Sequence, residues 1–277
     1  LLPRNYDLHI DADPNSEKFS GRVSIAISVL KPTRIVTLHV DDLKISRARI
    51  NGIEIPLSSL TYDAPAQTVA FFLTEALPAG SEAVLDLEYS GKVGHQMKGL
   101  YQSTAQTGGK QERSLSTHFE PADARMMLPS FDEPSFKATF DVTLSAPEHL
   151  TLLSNMPAVS RSTKEGRQTV SFAQTPPMST YLLALVAARL EAVHDSQDGA
   201  KISVWALPEQ IRQTSLALTA AKEFLRQLND YFGIAYQLPK VDLTAVPDFS
   251  AGAMENWGLI TFRDASLLAD PKLSSTR

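Results

Sequence analysis

The chain has 277 residues, 43% of them apolar, which is core-forming material for roughly two domains and too much for a disordered segment. Its 26 basic and 31 acidic residues give a net charge of -5, which speaks against a nucleic-acid partner, and zero cysteines exclude disulfides, thiolate metal sites and a thiol nucleophile. The longest apolar run, Tyr181 to Ala188, is far short of the ~18 residues of a membrane span, so no membrane segment is predicted.

Taken in chain order, the first strong signal is alternation of apolar residues, the period of a half-buried strand, at Val23, Ile25, Ile27 and Val29 and again at Val36, Leu38 and Val40. Asn51-Gly52, central to Arg47–Ile55, predicts a tight hairpin turn. Val69 to Leu73 and the alternating Ala83, Leu85, Leu87 and Tyr89 read as further strands. Thr104 to Arg113 reads as a flexible polar loop, because its glycines lack the following Gly-Lys-Ser/Thr of a phosphate cradle. Ala138, Phe140, Val142 and Leu144 alternate, and Val170–Phe172 and Tyr181–Ala187 complete the series. Such spacing predicts a mainly β, sandwich-type domain over residues 1–189.

After Arg189 the period changes. Glu209 to Tyr231 has no Gly or Pro and brings Ile211, Leu218, Ala221, Leu225, Leu228 and Phe232 near one helical face, with Pro208 suited to the first turn and Gly233 to the C-cap. Lys240–Val246 and Trp257–Phe262 read as strands around the loop Pro247–Asn256. Residues 190–277 thus look like the start of an α+β domain that is cut short.

Asp11, Asp13 and Asn15 imitate the first ligands of a calcium loop, but Pro14 intervenes, Ser16 takes the place of the turn glycine and Arg22 that of the bidentate glutamate, so a solvated turn is expected. No two of the six histidines are four residues apart, which removes a helical two-histidine zinc site. Nucleophile elbow, dinucleotide fingerprint and P-loop are also missing, so no catalytic residue and no metal ligand is assigned within the chain.

Two segments stand out: Thr117-His118-Phe119-Glu120-Pro121-Ala122-Asp123-Ala124-Arg125, continued by Phe131-Asp132-Glu133-Pro134, and Pro247-Asp248-Phe249-Ser250-Ala251-Gly252-Ala253-Met254-Glu255-Asn256-Trp257-Gly258. Read blind, each glutamate is a solvent-facing residue or the ion-pair partner of a cation such as Arg125 or Lys137. The functional alternative is a carboxylate that accepts hydrogen bonds from a bound cation, beside a glycine that lets a ligand approach the backbone.

Gly252 to Asn256 is the complete Gly-Ala-Met-Glu-Asn exopeptidase motif of the M1 family of zinc aminopeptidases, which the chain resembles over essentially its whole length, most strongly at 115–140 and 245–277. The Glu120 segment is similar to the aminopeptidase N and puromycin-sensitive branches. Phe262, Asp264 and Met126-Met127-Leu128 depart from the commonest family pattern of tyrosine, glutamate and a basic residue, which leaves the subfamily open.

The resemblance implies a saddle-like N-terminal β-sandwich followed by the first α+β part of a thermolysin-like catalytic domain. It implies hydrolysis of the N-terminal amino acid from peptides with a free N-terminus, by a full-length enzyme that carries zinc. The family's His-Glu-x-x-His helix follows a segment like 268–275, so the catalytic zinc is not expected to bind this chain. The isolated piece is expected to be inactive without the remainder of the catalytic and C-terminal domains. Glu120 and Glu255 are expected to anchor the α-amine, and Gly252 and Ala253 to let the peptide run beside their backbone. Met254 is either the wall of the first side-chain pocket or a core filler, and Asn256 either belongs to the substrate-binding set or fixes the loop through backbone hydrogen bonds.

The rival from another class is a non-catalytic M1-like scaffold or interaction protein, against which the intact motif argues. The branch that adds epoxide hydrolase activity tends to carry Gly-Gly-Met-Glu-Asn, and Ala253 argues against it. A free-standing sandwich module would end near residue 189. Lack of cysteine, leader and glycosylation sequon leans the compartment toward the cytoplasm without fixing it.

Overall fold

The computed structural model describes residues 1–270; of the stretch 268–275, the part from 271 lies outside the described residues. The protein is mainly β, with four sheets and one long helix among the described residues. The largest sheet has eight strands in the spatial order Ala158–Lys164, Arg167–Phe172, Thr139–Pro147, Leu2–Asp11, Lys18–Ser28, Glu82–Lys92, Lys44–Ile50 and Ile53–Glu54. A three-stranded sheet (Thr33–His39, Thr68–Leu77, Leu60–Asp63) and a four-stranded sheet (Thr151–Ser154, Leu185–Ala188, Lys110–His118, Gly99–Thr107) complete the part before residue 189. A five-stranded sheet follows, ordered Glu191–Gln197, Ala200–Ala206, Lys240–Val246, Leu259–Arg263 and Ala253–Met254.

The alternating segments form the strands their period predicts, and their apolar positions are the buried ones: Val23, Ile25 and Ile27, then Ala83, Leu85, Leu87 and Tyr89, then Phe140, Val142 and Leu144. Asn51 and Gly52 both take positive φ (50° and 79°) in the turn between Lys44–Ile50 and Ile53–Glu54, as a two-residue hairpin requires. The Asp13 region is a turn, closed by the Asn15 amide donating to Asp13 Oδ1 at 2.7 Å, and Arg167 pairs with Asp11 and Asp13.

Four expectations change. Thr104–Arg113 is not a loop but the tip of an antiparallel hairpin in which Gly99–Thr107 pairs with Lys110–His118, because Gly108 and Gly109 (φ 58° and 78°) supply the turn. Tyr181–Ala187 opens as a single 3-10 turn, Thr180–Leu182, and extends only at Leu185–Ala188. The helical segment splits: Pro208–Gln213 is 3-10, Thr214 Oγ1 bonds back to the Ile211 carbonyl at 2.6 Å, and the α-helix runs Ser215–Phe232 to a left-handed Gly233 (φ 65°). On that helix Ala217, Leu218, Ala221 and Leu225 pack on the five-stranded sheet, whereas Leu228 and Phe232 are exposed. Finally, Pro247–Asn256 is not wholly loop, since Ala253–Met254 is a short strand.

One further strand carries the fold's centre. Leu2–Asp11 runs parallel to Thr139–Pro147 and antiparallel to Lys18–Ser28, with Tyr6, Leu8 and Ile10 buried. Tyr6 stacks on Phe140 with ring centroids 4.9 Å apart, and its hydroxyl accepts the Phe131 amide at 3.1 Å. The segment after Glu120 is thereby tied to the middle of the large sheet.

Burial is the largest influence on His9, His39, His118 and His194 and holds each imidazole below its ordinary value of 6.5. The unfolded chain then binds protons more readily than the folded one. The stability these rings contribute is complete above pH 6.5 and is lost as pH falls through their folded values. The urea midpoint is expected to be lower at about pH 5.5 than at about pH 7.5; a midpoint that rises on this acidification contradicts the assignment.

Candidate functional site

Glu120 and Glu255 come from different sheets. Glu120 follows the end of Lys110–His118 in the four-stranded sheet and precedes Pro121 through a cis peptide bond. Glu255 follows the edge strand Ala253–Met254 of the five-stranded sheet. Both side chains are exposed, and both charges act on the His118 ring, together with those of Asp123 and Lys98. His118 is the titratable group that feels both carboxylates. Burial pushes its basicity down, Glu120 and Asp123 push it up, Lys98 opposes them, and Glu255 adds a weaker upward pull. The ring packs edge-on against Phe249 at 5.2 Å, and its Nδ1 is buried without a hydrogen-bond partner.

The cations that could have neutralised these glutamates are engaged elsewhere. Arg125 Nε donates to the buried Asp132 carboxylate at 2.9 Å and Nη2 to the Asp132 carbonyl at 3.0 Å, while Thr180 Oγ1 donates to the other Asp132 oxygen at 2.6 Å. Lys137 Nζ donates to Ser179 Oγ at 3.1 Å. Among the described residues neither Glu120 nor Glu255 takes part in a hydrogen bond or an ion pair of its side chain. The Arg125–Asp132 pair is structural: it closes the stretch that carries Glu120 back onto itself.

The second segment is held from both sides. Val246, Phe249 and Met254 are buried in the same apolar core as the large sheet, each side chain of this size stabilising by about 1.5–3 kcal/mol when fully removed from water. Ser103 Oγ donates to the Pro247 carbonyl. Arg263 clasps the loop from its other flank: Nε donates to the Phe249 carbonyl at 2.9 Å, Nη2 to the Ser250 carbonyl, and its backbone amide to the Gly252 carbonyl at 3.0 Å. Asp248 sits inside this clasp with a positive φ of 56°.

Within the clasp, Gly252 is exposed, and a Cβ there would meet no atom within 4 Å. Ala253 is exposed on the outermost strand of its sheet, which among the described residues pairs only with Leu259–Arg263 and leaves its other edge open. Met254 is fully buried in the core that Phe249 joins. Asn256 is buried too, its Nδ2 donating to Thr261 Oγ1 at 3.2 Å and its carbonyl accepting the Leu259 amide at 3.2 Å.

Asn155 joins the two parts. Its Nδ2 donates to the Leu182 carbonyl at 2.7 Å and to the Trp257 carbonyl at 2.8 Å, and its Oδ1 accepts the Ala184 amide at 2.9 Å. Neither Asn155 nor His118 was a candidate from sequence. His118 could have been singled out by its place two residues before Glu120; Asn155 carries no local signal.

Among the described residues no group of three or more His, Asp or Glu side chains could hold a metal ion, so the residues present do not fit a catalytic zinc. The geometry sets two exposed carboxylates, without a side-chain partner among the described residues, near a sheet edge that ends at Ala253.

Comparison with known proteins gives two family matches. The family model described as Peptidase M1 N-terminal domain matches residues 2–182, and that described as Peptidase family M1 domain matches residues 216–277. Aminopeptidase N of Acetobacter pasteurianus is 39% identical over 282 residues, covering 100% of this chain and 78% of that protein. Endoplasmic reticulum aminopeptidase 1 of Homo sapiens is 41% identical over 285 residues, and Aminopeptidase M1 of Arabidopsis thaliana 37% over 282, each covering 99% of this chain. The chain spans 30% and 32% of the length of these two relatives.

Proposed function

Because the chain belongs to peptidase family M1, we propose that it is the amine-recognising part of a zinc metallo-aminopeptidase that removes the N-terminal residue from peptides. In this reading residues 1–189 are the N-terminal β-sandwich domain and 190–277 the start of a thermolysin-like catalytic domain, and the zinc is held by residues outside this chain. The observation that carries it is the pair of exposed, unpaired carboxylates, Glu120 and Glu255, brought to one imidazole from two sheets.

A free N-terminus differs from every interior peptide unit by its ammonium. Glu120 and Glu255 bind that ammonium, while the peptide backbone lies along the free edge of Ala253 as an added strand. Holding both the amine and the strand fixes how far the first peptide bond reaches, so the anchor acts as a ruler for the reacting centre. An acetylated N-terminus loses the ionic contact and leaves two carboxylates facing each other unpaired. Met254, buried in the core, supports the loop from beneath, and Asn256 holds its turn; Gly252 and Ala253 stay open to the substrate.

The test is kinetic, on the complete protein, with leucine p-nitroanilide and its N-acetyl derivative. Charge-assisted hydrogen bonds are each worth about 1.5–3 kcal/mol, so Glu120→Gln and Glu255→Gln are each expected to lower kcat/KM for the free amine roughly ten- to hundred-fold. Discrimination against the acetylated substrate should shrink in step. Undiminished discrimination in both variants removes the anchor assignment, and an inactive complete wild-type protein removes the aminopeptidase reading.

A further inference from the structure

Away from the amine anchor, a cavity of about 390 Å³ opens where the strand Thr151–Ser154 and the following chain face the five-stranded sheet. One wall is apolar, built from Leu152, Leu153, Met156, Pro157 and Phe172. The other is the face of Ala200–Ala206 and Lys240–Val246 turned away from the long helix, and it is unusually polar for a covered sheet face. Its parallel register sets Lys201 beside Lys240 and Ser203 beside Asp242, with Trp205 next along the strand. The alternate positions Ile202, Val204, Val241 and Leu243 form the core beneath the helix.

Charge inside this cavity does not balance. Lys240 is buried and satisfied, its Nζ donating to Asp242 at 2.6 Å and to the Gly258 carbonyl at 2.6 Å. Lys201, beside it, and Arg161, reaching in from the opposite side, are exposed and take part in no ion pair among the described residues. Three cations thus face one carboxylate in a chain whose net charge is -5. After burial, the Lys201 charge is a further influence that depresses the Lys240 ammonium, against the upward pull of Asp242. The Trp205 indole N–H is buried without an acceptor, a second unmet demand at the same wall.

We propose that this inter-sheet cavity binds a small carboxylic acid with an apolar body, an arylalkanoate or medium-chain alkanoate, whose carboxylate meets Lys201 and Arg161 and whose body lies on Leu152, Met156 and Phe172. The volume is at the lower end of the roughly 300–1,000 Å³ that accommodates small-molecule ligands, and an apolar wall with a few convergent polar groups is their usual setting. A neutral apolar molecule would leave the two cations unanswered. An inorganic anion would leave the apolar wall wet.

Isothermal titration of the full 277-residue chain with 4-phenylbutyrate, octanoate and the uncharged octanamide tests the assignment. One-to-one binding of both acids is expected, with octanamide at least about ten-fold weaker, the effect of losing a charge-assisted contact. Lys201→Ala and Arg161→Ala should each weaken octanoate by a similar factor, and their exposed positions should leave the urea midpoint unchanged. Equal affinity for octanoate and octanamide, unchanged binding in both variants, or no binding of either acid overturns the proposal. Tighter binding of an acetylated peptide through its C-terminal carboxylate than of either free acid also overturns it, by transferring the cavity to a peptide ligand.

Discussion

Gly258→Ala is expected to cost about 3–5 kcal/mol and to loosen the loop 247–256, whereas Gly252→Ala, six residues away, is expected to change stability by less than about 0.5 kcal/mol. Both glycines flank the same motif, but their surroundings differ. Gly258 has φ +74°, and a Cβ there would lie 2.1 Å from the Asn155 carbonyl oxygen and 3.4 Å from Leu238 Cδ1. The obstructing atom is backbone and cannot rotate aside. Asn155 is itself fixed by its bonds to Leu182, Ala184 and Trp257, so the relief available is separation of the Trp257–Gly258 turn from the four-stranded sheet. That movement also disturbs the Gly258 carbonyl, which accepts both Lys240 Nζ at 2.6 Å and the Asp242 amide at 3.1 Å. Against a total stability of about 5–15 kcal/mol the loss is large. Urea midpoints of the two variants, with amide exchange of residues 252–263, provide the measurement; Gly258→Ala as stable as Gly252→Ala would show that this close approach does not hold the turn.

The contrast between these glycines also shows what the sequence makes legible. Alternation reveals a strand where one face is buried and the other wet, so Val23–Val29 and Ala83–Tyr89 are read correctly. It fails for Gly99–His118, whose Gln, Thr and Ser residues carry no apolar period; there the pairing follows from the Gly108-Gly109 turn, and a turn alone names no strands. The helix is legible by period and by its Gly233 cap, but not its first turn, where Thr214 bonds back to Ile211 and the chain stays 3-10.

The motif at Gly252–Asn256 is visible as a string of residues, and so is Glu120. What the string does not encode is who holds it. Arg125 follows Glu120 by five residues and looks like its counter-ion, yet it is taken by Asp132, and the clasp on the loop comes from Arg263 instead. Asn155 reaches Trp257 across 102 residues of sequence, a separation no local pattern can report. The motif is more legible than its support here, because a motif is read by residue type while supporting contacts are set by tertiary packing.

The buried ion pair beneath Gly258 leads to the second large effect. Asp242→Ala is expected to destabilise by about 3–5 kcal/mol, because it leaves the buried Lys240 ammonium with the Gly258 carbonyl as its one remaining hydrogen-bond partner among the described residues. Burial already holds Lys240 below its ordinary value of 10.5, and Asp242 is the group that opposes the fall. Without Asp242 the folded value drops further, so the unfolded chain binds a proton that the folded one refuses. Stability of the variant must therefore rise with pH from neutral toward the unfolded lysine value, more steeply than that of the parent. Replacing both partners, Lys240→Met with Asp242→Leu, removes the unpaired charge and should recover most of the loss, since well-packed apolar pairs commonly match buried ion pairs in stability. Urea midpoints at about pH 7 and about pH 9 separate the two accounts: a single variant with no pH slope, or a double variant as unstable as the single, would mean that the carboxylate acts through packing rather than charge.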